Sequence, residues 1–166
     1  MPFEIPILFL IFNRPDTTEK VFQEIRKQQP KYLYIAADGP RVNRPDDVEK
    51  CSLTRAIIQQ IDWDCDLKLL FRDENIGCGK AVYTAITWFF DQVEMGITLG
   101  DDCLPHPDFF PYCEELLIKY KNNETIKRIA GSNYNFFNND TNYSYIFSKY
   151  PFVTGWASWK RVWSDY

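Results

Sequence analysis

Four short runs set the architecture of this chain. Residues 7–12 (Ile-Leu-Phe-Leu-Ile-Phe), 31–37, 67–71 and 97–99 are rich in apolar residues, too short for helices, and stop at polar residues. The first is a nearly unbroken apolar run, the pattern of a strand buried on both faces. Helical spacing follows each of them. Thr18, Val21, Phe22 and Ile25 share one face after the first run, and Val82, Ala85, Ile86 and Phe89 do so after the third. A helix running to about Ile61 follows the second, and one from about Asp108 to Tyr120 follows the fourth. Strands alternating with helices predict an α/β fold with a mostly parallel sheet flanked by helices on both faces.

The helix starts carry their own signals. Pro15 suits a first helical position, and Asp16 and Glu19 suit the positive end of the helix dipole. Residues 43–50 (Asn-Arg-Pro-Asp-Asp-Val-Glu-Lys) nearly repeat residues 13–20 (Asn-Arg-Pro-Asp-Thr-Thr-Glu-Lys), so the same opening is expected in two successive β-α units. Nothing else recurs at that period, which excludes a solenoid. Asp108 is a candidate cap for the fourth helix. A short strand is expected around Ile129, a loop over 133–143 and a strand over 143–147. Trp156, Trp159, Trp163 and Tyr166 fall at i, i+3, i+7 and i+10, which predicts a helix with an aromatic stripe. Residues 1–166 are expected to be one domain, and the stop at Tyr166 without a cap or polar tail suggests a natural chain that continues.

The formal net charge of −4 argues against a nucleic-acid backbone as partner, although a nucleotide ligand stays open because helix N-termini and a metal offset phosphate charge. Aromatic residues make up 17% of the chain, more than a core needs, so some are expected to line a site. The five cysteines are odd in number and form no C-x-x-C, so reduced, mostly buried thiols are expected, with neither a zinc site nor a disulfide framework. The N-terminus has no basic region of the signal-peptide kind, and the apolar run 5–12 is too short to span a bilayer. A cytoplasmic protein without a transmembrane segment is the expectation, and the sequons at Asn139 and Asn142 are treated as chance matches.

In the sheet so expected, Asn13, Arg14, Asp38, Asn75, Asp101 and Asp102 all lie just past strand ends and gather at one edge. Ligands of open α/β sheets bind there. Asp101 and Asp102 are the sharpest signal. Adjacent carboxylates repel unless a cation or donor offsets them, and Mg²⁺ or Mn²⁺ is held by one or two carboxylates plus substrate phosphates. Residues 75–80 (Asn-Ile-Gly-Cys-Gly-Lys) open a helix, so Gly79, Lys80 and the backbone can face a diphosphate, or the segment is a plain loop with a solvated lysine. It matches neither Walker A nor G-x-G-x-x-G. His106, the single histidine, is a loop residue or a side chain within reach of the metal. The Asn- and aromatic-rich segment 133–143 suits either sugar stacking or a surface loop.

The run Asp101-Asp102-x4-Pro107-Asp108-Phe109-Phe110-x-Tyr112 resembles the DXD-like metal motif of GT-A nucleotide-sugar glycosyltransferases, nearest the N-acetylglucosaminyltransferase I branch. In that branch an acid precedes the Asp pair; here the position is Gly100, so that contact is absent or supplied elsewhere. Asn75, Gly77 and Ala81 resemble the Asn-x-Gly-x-x-x-Ala segment before the motif, and Gly155-Trp156 resembles the family's Gly-Trp segment at the donor and acceptor site. The resemblance implies a GT-A fold, a nucleoside-diphosphate sugar donor (UDP-linked), a carbohydrate or other hydroxyl acceptor, and Mn²⁺ or Mg²⁺. It implies Asp102 on the metal, Asp101 on the ribose or the metal's water shell, and Asp38 on a uracil N–H, where the residues alone leave a turn aspartate open. The family's base lies beyond the Gly-Trp segment, where Asp165 is the one candidate, so a donor-binding part lacking a complete acceptor site is expected. Two other classes remain: a nucleotidyltransferase, against which residues 12–15 lack a basic Gly-rich loop, and a non-catalytic sugar- or nucleotide-binding domain that kept the fold.

Overall fold

A computed structural model of the chain describes residues 3–132, 143–150 and 152–165. The strands are β1 (Ile7–Ile11), β2 (Tyr32–Ala37), β3 (Asp66–Phe71), β4 (Met95–Gly100), β5 (Ile129–Ala130) and β6 (Trp156–Trp159). The helices are α1 (Pro15–Gln28), α2 (Asp46–Arg55), α3 (Cys78–Phe90), α4 (Phe109–Lys119) and the single turn α5 (Lys160–Trp163). The sheet runs β3-β2-β1-β4-β6-β5. The first four strands are mutually parallel, and β6 lies antiparallel between β4 and β5. The fold is therefore α/β with a six-stranded, mostly parallel sheet flanked by helices, as the sequence implies.

Strand alternation sorts side chains between two cores. Ile7, Phe9, Ile11, Leu33, Ile35, Ile97 and Leu99 face α1 and α4, meeting Val21, Phe22, Ile25, Phe110 and Leu117. Leu8, Tyr34, Ala36 and Trp156 face α3, meeting Ala85, Ile86, Phe89 and Phe90. The helical faces expected for α1 and α3 are the buried ones, with Val82 partly buried.

Three expectations are corrected. The second helix ends at Arg55, and residues Ala56–Gln60 tighten into a 3-10 turn. Residues 143–147 form no strand; Tyr143, Ile146 and Phe147 are exposed, and Tyr145 packs edge-on against Tyr120 at 6.4 Å with no strand beside it. The tryptophan stripe is not one helix: Trp163 closes the single turn α5, and Tyr166 lies outside the described residues. Trp156 and Trp159 sit in β6 and point to opposite faces, Trp156 into the α3 core and Trp159 into the α4 core. A spacing of three puts residues on one side of a helix but on opposite sides of a strand. Hydrogen bonding to β4 and β5 on both sides overrides the local pattern. Among the cysteines, Cys51 and Cys113 are buried, Cys65 and Cys103 half-buried and Cys78 exposed, all as free thiols. Residues 133–142, with Asn139 and Asn142, lie outside the described residues.

The strand placement makes the two tryptophans energetically unequal. Trp159 is 2% exposed and its indole N–H donates to the Leu117 carbonyl at 3.1 Å, whereas Trp163 is only partly buried. Trp159→Ala is expected to cost about 3–5 kcal/mol in urea denaturation, and Trp163→Ala clearly less. Equal losses would contradict the strand.

Candidate functional site

The chain visits β1, β2 and β3 in one direction across the sheet, then returns to place β4 on the other side of β1. The loops after β1 and β4 therefore diverge, one into α1 and the other toward α4, and a crevice opens between the carboxyl ends of these two strands. Such a switch point is where open α/β sheets bind ligands. Arg14 and the Asp101-Asp102 pair meet in it.

Arg14 precedes α1, whose first residue is Pro15, and its side chain reaches across to the end of β4. Its Nη1 donates to Asp101 Oδ1 at 3.2 Å and to Asp102 Oδ2 at 2.6 Å. Asp101 is buried, and its Oδ2 accepts the Phe12 N–H at 3.2 Å. Asp102 and Arg14 are half open to solvent, with side chains 58% and 53% exposed. Burial pushes the Asp101 carboxyl above its ordinary pKa; the Arg14 charge and the Phe12 N–H oppose this without cancelling it. Arg14 is pushed up, first by its hydrogen bond to Asp102 and then by the Asp101 charge. Gly100 brings no side chain, and a Cβ there would lie 3.3 Å from Asp102 Oδ1 and 3.5 Å from Cys103 Sγ.

The two carboxylates thus converge on one point, and a cationic nitrogen stands at it. That geometry fits a divalent ion held by two carboxylates, with its remaining oxygens from phosphate and water. Among the described residues no group of three or more His, Cys, Asp or Glu side chains gathers to bind a metal unaided.

The neighbouring loops are tied together. Asp38, at the end of β2, accepts the Ile76 N–H at 3.1 Å on Oδ1 and the Gly77 N–H at 3.2 Å on Oδ2. Asn75 donates to the Gly39 carbonyl at 2.8 Å, and Arg55 donates to the Asp38 and Arg72 carbonyls. A Cβ on Gly39 would lie 2.4 Å from the Glu74 backbone, so only glycine lets these loops touch. Asp38 and Asn75 therefore hold the start of α3 in place. Gly79 and Lys80 are exposed on the first turn of α3, as is Cys78. Asn13 is bound as well, donating to Asp47 Oδ1 at 2.7 Å.

Asp47 is a further buried acid beside this edge, outside the candidate residues read from the sequence. It stands where the first repeat has Thr17, it is buried, and Arg41 Nη2 donates to it at 2.9 Å. The segments differ at two positions, Thr17/Asp47 and Thr18/Val48, and the acid gained at the first was the available signal.

Two cavities border the carboxylates. One, of about 1040 Å³, lies beside α4 and is lined by Leu104, His106, Asp108, Tyr112, Tyr145 and Phe147 among others. The other, of about 340 Å³, lies on the α3 side between Leu10, Val82, Thr98, Gly100, Trp156 and Trp163. Cys103 and Gly155 line both, so the cavities adjoin one residue past Asp102. Gly155 has φ +61° as the chain turns into β6, and the Arg128 guanidinium lies 4.5 Å from the centre of the Trp156 ring. Neither cavity is lined by Asp101 or Asp102 themselves; both reach Cys103, the next residue. His106 is exposed, with Nδ1 3.3 Å from Asp108 Oδ2. Asp165 lies 3.8 Å from Lys127. The Lys127 carbonyl is bonded by Ser158, which pairs with Gly96 near the start of β4, so Asp165 belongs to the opposite edge of the sheet.

No protein-family model matches the chain, and no curated protein matches it. Among solved structures it is similar to a 4-diphosphocytidyl-2C-methyl-D-erythritol synthase from Anaerococcus prevotii DSM 20548, at 14% identity and a TM-score of 0.48, over 95% of this chain and 73% of that one. Among the described residues no helix is long and apolar enough to cross a membrane.

The hydrogen bonds from Arg41, helped by Asn13, hold the Asp47 carboxyl well below the usual carboxylate range, against the upward push of burial. A carboxyl depressed in the folded state stabilises in full above its unfolded value, about pH 4, and loses that stabilisation as the pH falls toward the folded one. Asp47→Asn is expected to lower the Tm at pH 7, with a gap that narrows by pH 3. A gap independent of pH would contradict the ion pair.

Proposed function

We propose that this chain is the donor-binding domain of a nucleotide-dependent transferase, and that it moves a sugar from a nucleoside-diphosphate sugar, UDP-linked, to an acceptor hydroxyl. The observation that carries this is the meeting of Asp101, Asp102 and Arg14 at the switch point of the sheet. Asp102, the exposed member, would hold Mn²⁺ or Mg²⁺ with help from Asp101. That ion, when bound, supplies positive charge against the charge growing on the leaving diphosphate. Arg14, Lys80 and the free N–H groups of the first turn of α3 would face the phosphates.

In this reading the two cavities would take the two reactants. The smaller one, walled by Trp156 and Trp163 beside Gly100, suits the transferred sugar, whose C–H face packs on aromatic rings. The larger one suits the acceptor. Transfer forms the bond from the acceptor oxygen to the sugar carbon and breaks the bond from that carbon to the diphosphate oxygen. The acceptor proton needs a carboxylate or imidazole within reach. In the described wall of the larger cavity these are Asp108 and His106.

Nucleotidyl transfer is the second reading. The same paired carboxylates and metal serve it, and exposed Lys80 with Arg14 at one edge supplies the basic groups that a triphosphate needs. Calorimetric titration with UDP, GDP, CTP and UTP, each with Mg²⁺ and with chelator, separates the two. Metal-dependent binding of UDP supports sugar transfer; preference for a triphosphate, with pyrophosphate released, supports nucleotidyl transfer. In either case Asp102→Asn is expected to weaken binding by roughly 1.5–3 kcal/mol, about ten- to a hundredfold in Kd. Failure of all four nucleotides to bind would overturn both.

A further inference from the structure

Arg14 stands where a cation between Asp101 and Asp102 would stand. Its Nη1 touches the facing oxygen of each carboxylate, Asp101 Oδ1 at 3.2 Å and Asp102 Oδ2 at 2.6 Å. The remaining oxygens are turned away: Asp101 Oδ2 accepts the Phe12 N–H, and Asp102 Oδ1 lies 3.6 Å from Cys103 Sγ. A free divalent ion therefore meets two carboxylates whose converging oxygens are already bound to a positive charge. Gly100 offers no third acid, and among the described residues no cluster of three ligating groups exists. Hard cations of this kind take six or more oxygens, so a pair alone is a poor site for them.

The same contact is easily given up. Both partners on the Asp102 side are more than half exposed, and exposed ion pairs hold weakly. A phosphate offers the guanidinium a bidentate partner of matching geometry. We propose that Arg14 masks the Asp101–Asp102 pair against free divalent ions and releases it only when a phosphate-bearing ligand takes the guanidinium, so that metal is bound together with nucleotide and not before it. The release rests on the donor-site reading above; the mask itself does not.

The test is Mn²⁺ binding, read from the loss of the free-ion electron paramagnetic resonance signal, on folded wild type, Arg14→Gln, Arg14→Lys and Arg14→Gln/Asp102→Asn. Without nucleotide, Arg14→Gln is expected to take up one Mn²⁺ about tenfold or more tightly than wild type, because a positive charge has left the site. Arg14→Lys keeps that charge and is expected to stay close to wild type. The double variant is expected to lose the gain, which fixes its location. Adding UDP or CTP is expected to raise uptake in wild type. Equal uptake by wild type and Arg14→Gln overturns the mask, whether or not nucleotide binds. A gain in Arg14→Gln with no response to any nucleotide leaves the mask standing and overturns the release and the donor site together.

Discussion

Two adjacent carboxylates at the end of a buried strand are the constraint around which this molecule is arranged. β4 lies between β1 and β6, so its end projects Asp101 into the protein and Asp102 toward solvent. Charges so close are costly unless compensated. Compensation comes from β1, through the Phe12 N–H and the Arg14 guanidinium. A pairing of two strands thus becomes a charged crevice in which both carboxylates meet Arg14.

The loops around the crevice hold one another by polar contacts of their own. Asp47 ties the start of α2 to Asn13, and Asp38 ties the end of β2 to the start of α3. Buried carboxylates that accept several N–H groups act as fixed joints, since losing one partner leaves a desolvated charge. Asp38 and Asp47 are buried and tie loops together, whereas Asp102 is more than half exposed and meets Arg14.

Much of this was legible in the sequence. The alternation of short apolar runs with helical faces gave β1 to β4 and α1 to α4, because a parallel sheet buries both faces of its strands. The clustering of Arg14, Asp38, Asn75, Asp101 and Asp102 at one edge followed from that order. What stayed hidden depended on distant partners. Trp156 and Trp159 match a helix by spacing, and only β4 and β5 on either side make them a strand. Asn13, Asp38 and Asn75 show as polar loop residues, but whether such a side chain meets a ligand or a neighbouring loop is decided by packing. Asp47 is one of two differences between two similar segments, and its contact with Asn13 spans two β-α units.

The central claim is that ligand binds at the junction of β1, β4 and the start of α3. Amide chemical-shift mapping on titration with UDP and Mg²⁺ tests it most directly. Shifts confined to Phe12, Arg14, Gly77 to Lys80 and Gly100 to Cys103 are the result this account predicts. Shifts clustered instead around Tyr120, Tyr145 and Phe147, with none at Asp101 or Asp102, would contradict it.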